Sequence, residues 1–321
     1  MLRGFPAAFF ALVANECVHC PLAHQGNVPY NSTVCNFFRR INCLIHGFVF
    51  EVYMMEKLTV LGTGYALATR CYNTCFAITN ERGTLLVDAG GGNGILRQME
   101  DAGIGFETVH DLFITHAHPD HLNGVVWVLR KIMTMMNAGK YDGDLHVYCH
   151  ETVRKGVEMI GELMLQKKML KHMGVRVLFH DITDGMGANL NGYDVTFFDI
   201  GSTKLKQFGF TTALQNGKKL TCLGDEPYNP VCEKYVAGSD WLLCEAFCLL
   251  SQAEIFKPYE KHHSTVADAA KLASELHIPQ LVLWHTEDKT YADRKALYTA
   301  EAREFYQGDL YVPYDLEVIK L

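Results

Sequence analysis

One short stretch constrains this chain more than any other: a strand-like run, the letters HAHPDH, and then an apolar helix pattern. Three imidazoles and a carboxylate fall within six residues there, at His116, His118, Asp120 and His121. Such groups are good ligands for Zn, Mn or Fe, and their close spacing lets several converge on one or two ions. Asp120 alone could simply stabilise the start of the helix, but that interpretation leaves His116 and His118 unexplained. The stretch therefore predicts a metal site on a loop at the end of a strand.

The composition is that of an ordinary globular protein. The 321 residues are 49% apolar and 20% charged, which is enough chain for one large domain or two small ones. The formal net charge of −7 argues against bulk electrostatic binding of nucleic acid, although a local basic groove stays open. No apolar run reaches the roughly 18 residues that a membrane span needs, so we expect no membrane partner.

The first 54 residues differ from the rest. They hold four of the eleven cysteines and only two acidic residues, Glu16 and Glu51. Three interpretations stay open: a signal-like segment, because one arginine precedes a short apolar run; a zinc site, because the letters CVHC have ligand spacing; and a leader outside the domain, with the true start at Met54 or Met55. We favour the last and place the domain at residues 55–321. The other cysteines are scattered and odd in number, which is typical of the reducing cytoplasm.

From residue 57 onward, short apolar strands alternate with helices. We predict helices at 94–101, 122–136, 152–171, 266–276 and 291–307. We predict strands at 58–62, 74–79, 85–88, 111–115, 145–149, 175–179, 195–198, 209–214, 219–223, 241–245 and 280–284. The strands cluster in pairs between residues 175 and 223, which fits a regular β-α-β barrel poorly and favours an α/β fold of two sheets flanked by helices.

Four separated motifs resemble the metallo-β-lactamase superfamily, and they occur in that superfamily's order. THAHPDHLNGV matches its HxHxDH motif, and LGTG with LLVDAGGG looks like its opening strands and turns. CLGDEP carries the residue that matches its metal-bridging aspartate, Asp225, and LVLWHTED carries the residue that matches a metal-binding histidine, His285. The resemblance covers about residues 57–290. It implies an αββα sandwich of two mixed β-sheets, a hydrolase, and two divalent metal ions, with zinc as the first candidate and manganese or iron as alternatives.

Within the superfamily the chain is most similar to ribonuclease Z. LLCEAF resembles a segment that supplies an acid, here Glu245, and HHSTVADAA resembles one that supplies a histidine, here His263. The resemblance implies that Asp120 orients the attacking water and accepts its proton, and that His263, steadied by Glu245, donates to the leaving oxygen or holds the phosphate. Two simpler interpretations stay open: Glu245 as a surface acid at a strand end, and His263 as a flank of a helix cap. Asp88 is predicted to contact a ligand histidine.

The resemblance also implies two ligand sets, one of them with a gap. One ion would have His116, His118 and Asp225, and the other would have Asp120, His121, Asp225 and His285. The family usually carries a further ligand histidine before the aspartate, but the corresponding segment here, residues 197–210, contains none. Water, Ser202 or Thr203 could fill the gap, or that ion binds more weakly. We expect the two sites to differ in affinity.

A second departure from the family concerns the substrate. Short ribonuclease Z proteins insert a long RNA-gripping arm before the bridging aspartate, and residues 201–225 are too few to contain one. The first hypothesis is a ribonuclease Z-like phosphodiesterase that uses a metal-activated water on RNA, for example a tRNA precursor. The alternative is a hydrolase of the same fold that acts on a cyclic nucleotide or small ester. A non-catalytic binding protein is a third hypothesis, and the resemblance leaves a homodimer open.

Overall fold

The computed structural model describes residues 56–321 and, before them, only the strand residues 44–45 and 48–49. Leu44–Ile45 (β1) and Phe48–Val49 (β2) pair antiparallel and form a two-stranded sheet of their own. The predictions of a leader, a signal-like segment or a zinc site in the first 54 residues lie outside the described residues. In the part of the chain that the structure describes, no helix is long and apolar enough to cross a membrane.

Two seven-stranded sheets form the centre of the domain. Their strands are, in chain order, β3 (Lys57–Gly62), β4 (Cys75–Asn80), β5 (Gly83–Val87), β6 (Val109–Phe113), β7 (Leu145–Cys149), β8 (Val177–Asp181), β9 (Gly187–Leu190), β10 (Tyr193–Asp199), β11 (Phe208–Ala213), β12 (Lys219–Cys222), β13 (Trp241–Glu245), β14 (Gln280–Trp284), β15 (Asp309–Tyr311) and β16 (Val318–Lys320). The first sheet has the order β16-β3-β4-β5-β6-β7-β8, antiparallel from β16 to β5 and parallel from β5 to β8. The second has the order β15-β14-β13-β12-β11-β10-β9, antiparallel from β9 to β12 and parallel from β12 to β15.

Helices cover the outer face of each sheet. They are α1 (Gly94–Asp101), α2 (Pro119–Asn137), α3 (Glu151–Met164), α4 (Lys167–Leu170), α5 (Glu233–Val236), α6 (Ala253–Phe256), α7 (Val266–Glu275) and α8 (Arg294–Arg303). Helix α2 starts inside the HAHPDH stretch, because Pro119 at its first position has a backbone angle already suited to a helix. Helix α7 starts at a capping box, in which the side chains of Thr265 and Asp268 each bond the other residue's backbone N–H.

Alternate residues of a strand face opposite sides of its sheet, and this alternation builds the layers. In β4, Phe76 and Ile78 pack into the core between the two sheets, whereas Ala77 belongs to the core beneath α1 and α2. In β14, Trp284 joins the core between the sheets and Leu283 joins the core beneath α7 and α8. The rings of Phe76 and Trp284 stack across the two sheets with centroids 4.8 Å apart. The result is four layers, helix, sheet, sheet and helix.

The predicted α/β sandwich is confirmed, and the strands at 145–149, 241–245 and 280–284 have their predicted bounds. The prediction of one helix over 152–171 is wrong. Leu165 adopts an extended backbone, with φ −96° and ψ 149°, and its side chain is buried, so α3 ends at Met164 and the short α4 follows separately. Burial of one apolar side chain outweighs the helical pattern there, because tertiary packing contributes more than propensity. Strands β9, β15 and β16, which the pattern does not predict, all lie at sheet edges.

Candidate metal centre

The ends of several strands bring the candidate residues to one edge of the sandwich. Asp88 follows β5, the HAHPDH stretch follows β6, Asp225 follows β12, and His285 follows β14. The carboxyl ends of neighbouring parallel strands meet at the same edge of a sheet, so each sheet presents its own residues together. The backbone N–H of Phe208, at the start of β11, donates to the Thr115 carbonyl oxygen at 3.1 Å. This contact joins the second sheet to the residue before His116.

Six side chains at this edge form two groups, each of which could hold a metal ion. The ligand atoms within each group lie within 4.8 Å of one another. The first group is His116, His118 and Asp225, and the second is Asp120, His121 and His285. All six are buried except His118, which is half-buried. The structure thus brings together every residue that the sequence nominated as a metal ligand.

Asp225 lies between the two groups and faces both with one oxygen. Its Oδ2 is 3.4 Å from Nε2 of His116, 3.5 Å from Nε2 of His121 and 3.6 Å from Nε2 of His285. Asp120 Oδ2 lies 3.4 Å from the same His121 nitrogen. A single carboxylate oxygen therefore stands within reach of ions in both groups.

The Asp88 carboxylate contacts a candidate ligand histidine on the HAHPDH loop, as predicted. Its Oδ2 is 2.7 Å from Nδ1 of His121, and its two oxygens accept bonds from the Thr115 backbone N–H at 2.8 Å and hydroxyl at 2.7 Å. A carboxylate oxygen accepts this hydrogen bond, so His121 donates from Nδ1 and its Nε2 points toward Asp120 and Asp225. Asp88 has a left-handed backbone, with φ 56°, which turns the chain tightly enough to place the carboxylate there.

Two further contacts orient the remaining imidazoles. The Thr115 hydroxyl lies 2.9 Å from Nδ1 of His116, and the Thr74 hydroxyl lies 3.1 Å from Nδ1 of His285. In both cases Nε2 is left for the interior of the site. Such outer contacts set the tautomer and the direction of a ligand histidine.

The site is also shaped electrostatically for a cation. Burial alone would raise the pKa values of Asp225 and Asp120, but the neighbouring imidazoles, His116 and His121 first among them, lower both well below the ordinary range. Burial would lower the pKa of His121, yet the charges of Asp88 and Asp120 raise it well above its usual value. Burial lowers the pKa of His285 to about 3. The carboxylates are therefore ionised, and the His285 imidazole is neutral and free to bind a cation at ordinary pH.

The donor set fits divalent ions. Nε2 of His121 is buried and, among the residues that the structure describes, has no hydrogen-bond partner, which is costly unless a ligand occupies that direction. Nε2 of His116 and Nδ1 of His118 face each other at 2.8 Å. Imidazole nitrogens and carboxylate oxygens in groups of this kind suit Zn, Mn and Fe.

Beside the second group, Glu245 and His263 form a buried pair. Glu245 is 0% exposed at the end of β13, so it is not the surface acid of the simpler interpretation. Its Oε2 lies 3.6 Å from Nδ1 of His263, and its Oε1 accepts a bond from the Ser264 backbone at 2.6 Å. The His263 ring lies 5.2 Å from the His285 ring, between centroids, and is stacked on Phe247 at 5.1 Å.

The pKa values of this pair follow from their mutual contact. Burial would lower the pKa of His263, but the nearby carboxylate of Glu245, then the charge of Asp225, raise it above its ordinary value; Lys204 opposes the rise. Burial raises the pKa of Glu245. A histidine that keeps its proton near neutral pH is suited to donate it.

The segment without a ligand histidine, residues 200–207, lies against the first group. Its hydroxyls are engaged elsewhere: Ser202 Oγ donates to Glu226 Oε1 at 2.8 Å, and Thr203 Oγ1 lies 3.4 Å from Nδ1 of His262. The side chain nearest the centre is Gln207, which contacts Asp225. Sequence reasoning missed Gln207, because a single glutamine before a strand carries no ligand pattern.

Comparison with known proteins identifies the family. The family model described as anti-Pycsar protein Apyc1 matches residues 56–305. The chain belongs to this family. The match spans both ligand groups and the Glu245–His263 pair.

Individual proteins resemble the chain in sequence or in fold. The chain is 29% identical to ribonuclease Z of Myxococcus xanthus over 311 residues, covering 83% of this chain and 97% of that protein. The structure is similar to the metallo-β-lactamase fold protein YhfI of Bacillus subtilis, with a TM-score of 0.67, 16% identity, and coverage of 83% and 99%. It is also similar to the short form of human tRNase Z, with a TM-score of 0.62, 21% identity, and coverage of 82% and 98%.

These likenesses confirm two conclusions drawn from the sequence. The fold is the metallo-β-lactamase αββα sandwich. The protein is a metal-dependent hydrolase of the ribonuclease Z-like kind, as the resemblance implied.

Proposed function

We propose that the protein hydrolyses phosphodiester bonds at a centre of two divalent ions. The observation that carries the proposal is a single carboxylate oxygen, Asp225 Oδ2, that faces His116 on one side and His121 and His285 on the other. Beside it stands the buried Glu245–His263 pair. This arrangement provides ligands for two ions and a separate proton donor in one cleft.

Two bound ions would supply an acidified water and a clamp for a phosphate oxygen. Two side chains of the protein, Asp120 and His263, are assigned the proton transfers. Asp120 adjoins His121, so its carboxylate would orient that water and, as the family resemblance implies, accept its proton. His263 keeps a proton through its contact with Glu245 and donates it to the leaving oxygen, or holds the phosphate with it.

We propose zinc as the native metal and unequal affinity for the two sites. Asp120, His121 and His285, with Asp225 shared, give the second ion four protein ligands. His116, His118 and the shared Asp225 give the first ion three. Graded chelation of zinc-loaded protein, followed by metal analysis, should release the first ion before the second; simultaneous release would contradict this assignment.

The first candidate substrate is RNA, such as a tRNA precursor. Relatives named ribonuclease Z align over about four fifths of the chain and over more than nine tenths of their own length. The two sheets and their loops also match the short form of human tRNase Z over nearly all of that protein.

A small phosphodiester, such as a cyclic nucleotide, is the second candidate, and one observation favours it. Within the described residues, β10 and β11 are joined by the eight residues 200–207, and β11 and β12 by a tight turn at 214–218. Neither connection contains an arm that could grip an RNA.

One experiment separates the candidates. Protein loaded with Zn or Mn is incubated with a tRNA precursor bearing a 3′ trailer, with cyclic mononucleotides, and with a chromogenic phosphodiester; chelator-stripped protein is the control. Cleavage of the precursor at its 3′ trailer supports the RNA candidate. Hydrolysis of cyclic nucleotides with an intact precursor supports the second. Metal-loaded protein that hydrolyses none of the three contradicts the proposal.

We also propose that residues 55–321 form the catalytic domain, that it works in the cytoplasm, and that it forms a homodimer. The cysteines described from Cys71 onward are all free, which suits a reducing compartment.

Helix α3 exposes Met159, Leu163 and Met164, an apolar strip of the kind that dimers bury. Light scattering of the wild-type protein and of a Leu163→Lys variant tests the dimer, and mass spectrometry of the native N-terminus tests the domain boundary.

A further inference from the structure

The side chain of Gln207 grips Asp225 at two points. Its Nε2 donates a short hydrogen bond to Asp225 Oδ1, and its Oε1 accepts a bond from the Asp225 backbone N–H at 2.9 Å. Gln207 is 0% exposed, so water does not compete for these bonds. Both polar ends of one amide are thus committed to one aspartate.

The surrounding backbone is built to hold this amide. The Ile200 N–H donates to the Gln207 carbonyl oxygen at 3.1 Å, and the next residue, Phe208, is tied to Thr115. Gly224, just before the aspartate, has φ +86°, and a Cβ placed on it would lie 2.2 Å from the Gln207 Oε1. Only glycine leaves room for the amide at that position.

We propose that Gln207 is a positioning residue that makes Asp225 face both ligand groups through one oxygen. Because the amide occupies Oδ1, the carboxylate cannot rotate freely, and Oδ2 is held within 3.4–3.6 Å of imidazole nitrogens from both groups. If the carboxylate could rotate, Oδ2 would not stay between the two ligand groups, and one of the ions would lose Asp225 as a ligand. The inference rests on the metal-centre part of the proposed function and is independent of the substrate.

The expected size of the effect follows from the behaviour of residues that orient metal ligands in other proteins. Removing a group that orients a metal ligand typically lowers metal affinity about 10–100-fold. The first ion depends more on Asp225, since its group has only two other members, His116 and His118. Loss of the grip should therefore weaken the first ion by about that factor and the second ion less.

The test is metal retention, which needs no substrate. Gln207→Met keeps the volume of the side chain and removes both hydrogen bonds. Gln280→Met is the matched control, because Gln280 is also buried and begins β14, at the opposite end of that strand from His285. Zinc-loaded proteins are dialysed against graded chelator, and the zinc remaining per chain is measured, with thermal melting of the metal-free proteins to report folding.

We expect wild-type protein and Gln280→Met to need the same chelator concentration, and Gln207→Met to release one ion at a concentration about 10–100-fold lower. If Gln207→Met fails to fold, Gln207→Asn takes its place, since its shorter amide cannot reach both points and should give the same shift. Retention equal to wild type in the folded Gln207 variant would overturn the positioning role. Wild-type protein that binds no metal would instead overturn the metal centre itself.

Discussion

Replacement of Asp88 by asparagine should weaken the metal centre without touching any proposed ligand. The carboxylate accepts three hydrogen bonds, two from Thr115 and one from His121, at 2.7–2.8 Å. An asparagine has one acceptor oxygen. If that oxygen stays with the Thr115 N–H, the amide N–H₂ faces Nδ1 of His121, which must then accept and carry its proton on Nε2, where an ion would bind.

The magnitude follows from these contacts. Loss of one bond to a charged group costs roughly 1.5–3 kcal/mol, so we expect the metal-free Asp88→Asn protein to lose about that much of its free energy of unfolding. Loss of the orienting contact should lower metal affinity about 10–100-fold, or roughly 1.4–2.7 kcal/mol. Urea denaturation in chelator gives the first quantity, and competition with a chromogenic chelator gives the second.

The control is Asp111→Asn. Asp111 is also a buried aspartate that accepts one backbone bond, from Asn191 at 2.8 Å, and it lies in the middle of β6, the strand that leads to His116. Its replacement should leave metal affinity unchanged. An Asp88→Asn protein that binds zinc as tightly as wild type would refute the reasoning, because the carboxylate would then have no part in orienting His121.

Three further predictions concern the proton donor, the acid stability and the helix that carries the motif. His263→Ala should lower turnover of a phosphodiester by about 10²–10⁴-fold with zinc content unchanged, because the side chain donates a proton and binds no ion. His285 has a pKa of about 3 in the folded metal-free protein, below its usual value near 6.5. The unfolded chain therefore binds a proton that the folded protein refuses, and stability falls as the pH drops through that window, by up to about 1.4 kcal/mol per pH unit. His285→Gln should flatten this slope in urea titrations at pH 4–7. Gly124→Ala should destabilise the protein although alanine favours helices by about 1 kcal/mol, because the new Cβ would lie 1.7 Å from the Ala89 carbonyl oxygen; thermal melting measures it.

A different result would contradict each of these three predictions. Zinc loss in His263→Ala would make that residue a ligand. An unchanged pH slope in His285→Gln would mean that another group causes the acid sensitivity, and His277→Gln, an exposed histidine before the same strand, is the control. A higher melting temperature for Gly124→Ala would mean that α2 shifts to admit the methyl group.

The sequence best predicts features that depend on residues close together in the chain. The HAHPDH stretch holds its candidate ligands within six consecutive letters, so four of its side chains and their loop could be assigned before any fold was known. The strand Trp241–Glu245 begins with four consecutive apolar residues and is buried at every position, and a short continuous apolar run of this kind indicates a strand in the interior of a sheet.

Other features depend on distant contacts and leave no local pattern. Gln207 meets Asp225 only because β10 to β12 form a meander and Gly224 leaves the space open. Leu165 breaks a helical pattern because its side chain is buried. The edge strand β16 pairs with β3 across almost the whole length of the domain, and three residues are too few to predict a strand from alternation.

Each of the two seven-stranded sheets supplies only some of the candidate metal ligands. This division affects how firmly the two sheets are held together. The first sheet and its loops supply His116, His118, Asp120 and His121, whereas the second supplies Asp225 and His285. Neither half can complete an ion site alone, so an ion would act as a cross-link that closes the seam between them. Because a ligand that binds only the folded state stabilises it by mass action, the availability of zinc would decide how firmly the halves stay docked. Without its ions the protein would keep the apolar core between the sheets but lose the added stability of this cross-link, together with the metal-dependent chemistry.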